Sequence, residues 1–247
     1  EPLAANVLKL TLQDRFDMGD ARDLGHYALT SATDPLFGSP VAPDTVGIRT
    51  YVGDFSDSGP VPQLVFEIFL VFPESMTPDA GYTLTVDSIA DLSGNEFNEP
   101  FDHGFTYTET TSVNGTVKAN QVGYLPEGPK YGYLGNYLGD AGMMDIAPTT
   151  FVVRDASDDQ AVFTGAPILR GDDSVLSGEE VYSCDFAALT TPGTYYLHAP
   201  GLGRSHDFVI GKGAYTKAAR TAARGLYYQR CGTALAPPAA DPRWAHA

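Results

Sequence analysis

Short stretches in which apolar and polar residues alternate dominate the first part of the chain. Tyr82–Val86 reads Tyr-Thr-Leu-Thr-Val, which is the period of a strand with one buried face. Leu64–Phe72 is apolar almost throughout, with Glu67 as its one interruption, and predicts a buried strand. Further strands are predicted at 6–12, 26–30, 46–52 and 104–108. Many short strands separated by turn residues, without a long helical period, predict an antiparallel β-sandwich over residues 1–112.

A second series of short strands follows a polar stretch around Glu109–Gly115. We place a domain boundary between residues 112 and 113. The strands of the second series are predicted at 116–121, 131–134, 150–154, 161–164, 180–185, 194–199 and 207–210. Their spacing suits a second, immunoglobulin-like (Ig-like) sandwich of about 100 residues over 113–211.

The pattern changes to helical spacing at Tyr215–Gly232, where alanines, Leu226 and Tyr227 recur every three or four residues. Gly232 is a plausible stop signal for this helix. An amphipathic helix needs a partner for its apolar face. The helix either packs on the second sandwich or begins a further domain, so 212–247 is predicted to be a linker and the first helix of a truncated domain.

The charge balance restricts the partners. The 247 residues carry 15 basic and 31 acidic side chains, a net charge of −16. Such a surface repels nucleic acid and anionic lipid. No apolar run reaches the 18 residues that a membrane-spanning helix requires. The start at Glu1-Pro2, without an initiator Met, fits a processed or engineered chain. Low lysine with abundant Gly, Asp, Ser and Thr favours a secreted, periplasmic or cell-surface protein.

The candidate chemical groups do not form a recognisable catalytic set. Three acidic pairs are predicted to be solvated charges in Gly/Ser-rich turns, with calcium binding as the alternative, although none has the spacing of a calcium loop: Asp158-Asp159, Asp172-Asp173 and Glu179-Glu180. The histidines lack metal-ligand spacing, and we expect His198 and His206 to lie in strands: His26, His103, His198, His206 and His246. We therefore expect no metal and no cofactor, with calcium as the weak exception.

The two cysteines, Cys184 and Cys231, either pair in an oxidising compartment or remain free and buried, and we favour free thiols. Asn114-Gly115-Thr116 is a glycosylation sequon and also a good turn.

Several tyrosines cluster in the second unit and could serve in a core, in an interface or as a platform for sugars. Tyr131 and Tyr133 share one face of a strand because side chains alternate. Tyr124 and Tyr137 lie close to them in sequence, whereas Tyr195-Tyr196 lies apart. We favour a core or interface role and keep sugar stacking as the alternative.

Four ordered stretches resemble a known family. Asn120–Pro126 (Asn-Gln-Val-Gly-Tyr-Leu-Pro), Pro192–Tyr196 and Gly203–Ile210 resemble the Ig-like domain that precedes the catalytic domain in many glycoside hydrolase family nine cellulases. Gly225–Leu235 resembles the first helix of that catalytic domain. The first unit resembles generic bacterial Ig-like modules, on the pattern of Tyr82–Asn95.

The resemblance implies a parent enzyme with an (α/α)₆ barrel that hydrolyses β-1,4-glucan such as cellulose, or a related β-glycan, with inversion. Its base would lie in an Asp-Ala-Gly-Asp stretch after the first helix and its acid far towards the C-terminus. This sequence ends before both, so no residue here inherits a catalytic role. Whether the chain is an enzyme by itself stays open at this point.

The resemblance leads to one expectation and one alternative. We expect the non-catalytic N-terminal part of a secreted family nine enzyme, whose partner is its own catalytic domain and which meets polysaccharide through that parent. The candidate residues for the interface with the catalytic domain are Tyr124, Leu226, Tyr227, Tyr228 and Arg230. The alternative is a tandem Ig-like module for carbohydrate binding or adhesion.

Overall fold

Among the residues that the structure describes, the protein is mostly β-structure with one α-helix, as the sequence predicts. The computed structural model describes residues 1–12, 15–52, 64–96, 99–173 and 177–229. No helix in these ranges is both long and apolar enough to cross a bilayer.

The first unit contains two antiparallel sheets. One is formed by β1 (Pro2–Ala4), β2 (Val7–Leu12), β4 (Thr45–Val52) and β5 (Leu64–Val71), in the order β1-β2-β5-β4. We call it the central sheet. The other is formed by β3 (Tyr27–Thr30), β6 (Gly81–Val86) and β7 (Phe101–Thr106), in the order β3-β6-β7.

The second unit also contains two sheets, followed by the helix. One sheet has the order β12-β13-β9-β8, from β8 (Val117–Lys118), β9 (Tyr131–Leu134), β12 (Ile168–Asp173) and β13 (Glu179–Asp185). The other has the order β11-β10-β14-β15, from β10 (Phe151–Asp155), β11 (Ala161–Gly165), β14 (Gly193–Ala199) and β15 (Gly203–Arg204). β16 (Phe208–Ile210) also pairs with β14, and α1 covers Thr216–Tyr228.

The main error of the sequence analysis concerns β12 and β13. We expected Asp172-Asp173 and Glu179-Glu180 in turns, which is wrong, because Asp172 pairs with Glu180 and Asp173 with Glu179 across a hairpin. Gly171 and the acidic residues suggested a turn, yet β12 is an edge strand, where charged residues are common. The sequence analysis also missed the short strands β1 and β15.

The core of the first unit lies between its two sheets. Leu29 of β3 and Leu84 of β6 pack in one cluster with Ile48 of β4 and Ile68 of β5. All four side chains are at most 5% exposed. The alternation along β6 buries Tyr82, Leu84 and Val86 and leaves the threonines between them only partly covered, as the sequence pattern requires.

The central sheet is buried on both faces. Val7 of β2 and Phe69 of β5 point away from the first core and join the hydrophobic cluster of the second unit, together with Leu3 and Ala4 of β1. Phe69 is 1% exposed. Two-sided burial explains why Leu64–Val71 is apolar almost throughout, because both faces of this strand meet a core.

Glu67 is the polar exception in β5 and is itself buried. Its carboxylate accepts a hydrogen bond of 2.7 Å from Nε of Arg49 and lies 3.6 Å from Nζ of Lys9. Two cations therefore compensate the desolvation of one carboxylate. The charged cluster marks where the covered part of this face ends.

Backbone contacts also join the two units. Asp140 accepts a hydrogen bond of 2.8 Å from the backbone N–H of Ile48 and forms an ion pair with Arg22. A Cβ at Gly47 or Gly139 would collide with the backbone of the opposite unit. The backbones of the two units are therefore in direct contact at these glycines. Strand pairing changes between β7 and β8, where we place the domain boundary, but the packing continues across it.

Glu109 connects the segment between the units to β14. Its carboxylate lies 3.2 Å from Nε2 of His198 and accepts hydrogen bonds from the backbone N–H of Gly201 at 2.9 Å and from the Tyr107 hydroxyl at 3.2 Å. The hydrogen bond with His198 is the largest cause that lowers the pKa of Glu109, and burial opposes it. The ionised form of Glu109 therefore stabilises the folded protein.

We expect Phe69→Ala to weaken the coupling between the units. The substitution leaves a cavity in a cluster to which both units contribute, and we expect a loss of about 3–5 kcal/mol in the free energy of unfolding. Urea unfolding followed by fluorescence and circular dichroism should change from one transition to two. The control is Phe163→Ala, which lies on β11 at the edge of the second cluster. Phe163→Ala should lower the urea midpoint of unfolding, and unfolding should still occur in one transition. Two transitions in the unsubstituted protein would contradict this account.

We expect Glu109→Gln to make stability less dependent on pH in the acid range. The pKa of Glu109 is lower in the folded than in the unfolded state, so its contribution is present above the unfolded value of about 4.3 and is lost as pH falls through the folded value. Urea midpoints at several pH values between 7 and 3 should fall more steeply for the unsubstituted protein than for the variant. Equal slopes would show that Glu109 does not contribute in this way.

Candidate functional site

The structure brings together no catalytic or metal-binding cluster among the residues it describes. No group of three or more His, Cys, Asp or Glu side chains in those ranges is placed to hold a metal ion. His26 pairs with Asp20, and His198 lies in β14. His206 lies in the loop between β15 and β16, so its expected strand position is wrong. His246 lies outside the described residues.

The acidic pair Asp158-Asp159 belongs to the turn after β10, as predicted. The backbone carbonyl of Asp159 accepts a hydrogen bond of 2.7 Å from the Arg154 guanidinium, and its carboxylate accepts one of 2.9 Å from the Tyr196 hydroxyl. These contacts make Asp159 a structural residue of the turn.

Cys184 is a free thiol in the core of the second unit, as predicted. Burial raises the pKa of the thiol to about 12, so it remains protonated and unreactive near neutral pH. Cys231 lies outside the described residues.

The sequon at Asn114 is not accessible in the folded protein. Asn114 is 7% exposed, and its side-chain amide donates a hydrogen bond of 2.6 Å to the carbonyl of Leu202. Thr116 is fully buried and donates to the carbonyl of Leu3 at 2.9 Å. The amide nitrogen that would carry a glycan is therefore already used, and the turn serves the contact between the units.

The segment Asn120–Pro126 is anchored from inside by Tyr124. The ring of Tyr124 meets Phe186 and Phe208 edge to face, with centroids 5.2 and 5.1 Å apart. Its hydroxyl donates to the carbonyl of Tyr131 at 2.7 Å and accepts from the backbone N–H of Asn120 at 2.8 Å. Tyr124 is 4% exposed. We expected it at an interface between domains, but its burial places it in the core beneath the surface that the segment forms.

Gly123 allows the segment to lie directly against β16. Its φ is +107°, and a Cβ there would come within 2.5 Å of the carbonyl oxygen of Val209. The neighbouring N–H of Tyr124 donates to the same carbonyl at 2.8 Å. A glycine is required here because both the dihedral angle and the close approach exclude a side chain.

Lys130 closes the loop that follows this segment. Its ammonium group is fully buried and donates to the carbonyls of Pro126 at 2.6 Å, Gly128 at 2.9 Å and Ala187 at 3.1 Å. Three donors meet three acceptors, which is the full hydrogen-bonding capacity of a lysine side chain. The loop after Pro126 is thereby fixed to the end of β13.

Five apolar side chains around these anchors are half-exposed. We call them together the docking surface, and each is between 41% and 46% exposed: Val122, Leu125, Tyr133, Val209 and Tyr215. The contact between Tyr124 and Val209 joins the segment to β16, and the Asn120 amide lies 3.5 Å from the Tyr215 hydroxyl. Tyr131 and Tyr133 point away from the core, while Gly132 between them and Leu134 after them are buried.

The helix α1 leaves the second unit beside the docking surface and is exposed along its length. None of its described residues is buried, and Leu226 and Tyr227 are 71% and 48% exposed. The Tyr228 hydroxyl accepts from the Arg224 guanidinium at 3.1 Å. Leu226, Tyr227 and Tyr228 therefore remain candidates for an interface, and Arg230 lies outside the described residues. The sequence analysis named the helix but missed Val122, Leu125 and Val209, because single exposed apolar residues have no sequence signature.

We expect Lys130→Met to destabilise the second unit by about 3 kcal/mol or more, because three buried carbonyls would lose their donor. The matched control is Lys118→Met. Lys118 forms an ion pair of 2.9 Å with Glu179, but its side chain is 41% exposed. Surface ion pairs contribute at most about 1 kcal/mol. Thermal unfolding should show a clearly larger loss of stability for Lys130→Met than for Lys118→Met. Similar losses of stability in the two variants would contradict the role assigned to Lys130.

About half of the chain is similar to known proteins. Residues 112–204 match the family described as cellulase N-terminal Ig-like domain. Over 128 residues the chain is 32% identical to endoglucanase D of Acetivibrio thermocellus, covering 52% of this chain and 18% of that protein. Over 125 residues it is 33% identical to a xyloglucan-specific endo-beta-1,4-glucanase of Bacteroides ovatus, covering 50% of this chain and 19% of that one.

Among solved structures, a metagenome-derived glycoside hydrolase family 9 endoglucanase is 36% identical, covers 49% of this chain and 22% of that chain, and has a TM-score of 0.42. The chain spans about a fifth of the length of the curated relatives that it matches. Over about half of its length, the chain is therefore similar to cellulases and endoglucanases, with the match to the cellulase N-terminal Ig-like domain at residues 112–204, which confirms the resemblance first indicated by Asn120–Pro126.

Proposed function

We propose that this chain is the non-catalytic N-terminal part of a family nine glycoside hydrolase and braces the catalytic domain of that enzyme. The observation that carries the proposal is the docking surface beside the exposed helix α1. Five half-exposed apolar side chains lie over a foundation that Tyr124 and Lys130 hold rigid. Exposed apolar patches with a rigid support are typical of surfaces that another protein domain covers.

In this proposal the fold is a pair of tandem Ig-like sandwiches followed by the first helix of an (α/α)₆ barrel. The apolar side of α1 belongs to the barrel, which accounts for the exposure of Leu226. Each Å² of apolar surface that the barrel covers contributes about 25 cal/mol. Burying the docking surface and α1 together would stabilise both partners.

The substrate belongs to the parent enzyme in this proposal. The relatives are an endoglucanase, a cellodextrinase and a xyloglucan-specific endo-beta-1,4-glucanase. The parent would act on β-1,4-glucan or a related β-glycan, and both catalytic carboxylates would come from the barrel. Because the substrate is outside the cell, we also propose that the parent is secreted or held at the cell surface. Fractionation of the source cells with an antibody against this chain tests that placement.

We expect this chain alone to release no reducing sugar from carboxymethylcellulose. A catalytic pair of carboxyl groups needs a separation of roughly 6.5–9.5 Å in two different environments for inversion, and we assign no such pair here. Reproducible hydrolysis by the purified chain that survives further purification would overturn the proposal.

We expect charge introduced into the docking surface to weaken the parent enzyme without unfolding this chain. Val122 and Leu125 are 45% and 41% exposed, so Val122→Asp with Leu125→Asp should leave the isolated chain folded. In the enzyme extended to its catalytic domain, the double variant should lower the temperature of inactivation by several degrees. The control is Val162→Asp on β11, which is 41% exposed outside this surface. Equal temperatures of inactivation for the double variant and the Val162→Asp control would contradict the bracing role.

A further inference from the structure

A row of aromatic side chains on the first unit has no part in the docking surface. β7 is the edge strand of the sheet β3-β6-β7. Phe101, His103 and Phe105 alternate along one face of β7, opposite Val86, Leu84 and Tyr82 of β6. The residues of β6 are buried in the first core, whereas Phe101 is 57% exposed and His103 is also exposed. We call Phe101, His103 and Phe105 the β7 ladder.

The rings of the β7 ladder are nearly parallel. The centroids of Phe101 and His103 are 6.4 Å apart at 12°, and those of His103 and Phe105 are 6.3 Å apart at 20°. Tyr82 continues the series behind Phe105, at 5.8 Å and 28°. The exposed rings are therefore held in register by a ring that is itself fixed in the core.

Phe105 is partly buried against the first core, but Phe101 lies beyond it. Filling the core therefore accounts for Phe105 and does not account for the two exposed rings.

His103 and Phe105 of the β7 ladder line a groove, and Phe101 lies outside it. Leu8, Lys9 and Leu10 of β2 and Leu84 of β6 also line this groove. Thr106 and Ser112 add hydroxyl groups at one end. Apolar rings with a few polar groups around them are typical of ligand sites.

The charge of the protein selects the class of ligand. A net charge of −16 disfavours nucleic acids and other polyanions. A sugar ring is amphipathic, with C–H groups on its faces and hydroxyls at its edge, and so it can stack on an aromatic ring while it hydrogen-bonds to Lys9, His103 or Ser112. We propose that the β7 ladder and the groove beside it bind a neutral polysaccharide, with one sugar ring against His103 in the groove and the next against Phe101 beyond it. This proposal does not rest on the bracing function, because the two surfaces share no residue.

The experiment is affinity electrophoresis of the full chain through native gels that contain hydroxyethylcellulose, xyloglucan or, as the anionic comparison, polygalacturonate. We expect retardation by a neutral polysaccharide and none by polygalacturonate. Phe101→Ala should weaken binding about fivefold, since a stacked ring contributes on the order of 1 kcal/mol. His103→Ala should weaken it similarly, and Phe101→Tyr should retain it. Thermal unfolding of each variant verifies that the fold is intact.

The matched control is Tyr133→Ala, which removes a half-exposed aromatic ring from the docking surface. It should leave the retardation unchanged. Loss of binding in Tyr133→Ala but not in Phe101→Ala would overturn the proposal, as would the absence of retardation by every neutral polysaccharide tried. A free edge strand can also pair with another protein chain. If sedimentation instead shows an oligomer that Phe101→Ala dissociates, β7 is a protein contact and the glycan proposal fails.

Discussion

Burial of the central sheet on both faces is the constraint on which the rest of the structure depends. Phe66, Ile68 and Leu70 of β5 belong to the first core, while Phe69 belongs to the second. A strand that serves two cores cannot shift its register by one residue without exposing both sets of side chains. The two units are therefore built around a common layer, and the orientation of the second unit, with its docking surface and α1, follows from the packing of the first.

The polar contacts between the two units constrain their relative orientation. Apolar burial is non-directional, whereas Asp140 reaches the backbone of β4 and Glu109 reaches β14. Both carboxylates have lowered pKa values because their charged forms accept hydrogen bonds from the opposite side. The apolar layer supplies most of the stabilisation, and the carboxylates fix the angle at which the units meet.

Much of the β-structure could be predicted from alternation and turn residues, because local patterning specifies which face of a strand is buried. The apolar run of β5 predicted burial but could not reveal that its second face meets a different unit, since that contact joins Phe69 to residues more than 40 positions away. Tyr124 was found as a motif residue and named as a candidate for the interface with the catalytic domain. Its role in the core depends on Phe186 and Phe208, which no local pattern connects to it. The β7 ladder was missed for a similar reason, since alternation alone does not distinguish an edge strand from a central one.

The shared layer also imposes an order on the folding of the chain during its synthesis. When β5 leaves the ribosome, its first face can pack against β6 and β3 as soon as residues to about Thr106 are available. Its other face, with Phe69 and Val71, stays exposed to water until the residues of the second cluster between Val117 and Ile210 have been made, up to roughly a hundred residues later. At about 5–20 residues per second this interval lasts several seconds. During that time the nascent chain presents an uncovered strand of high β-propensity, and such a strand is a site at which aggregation can begin.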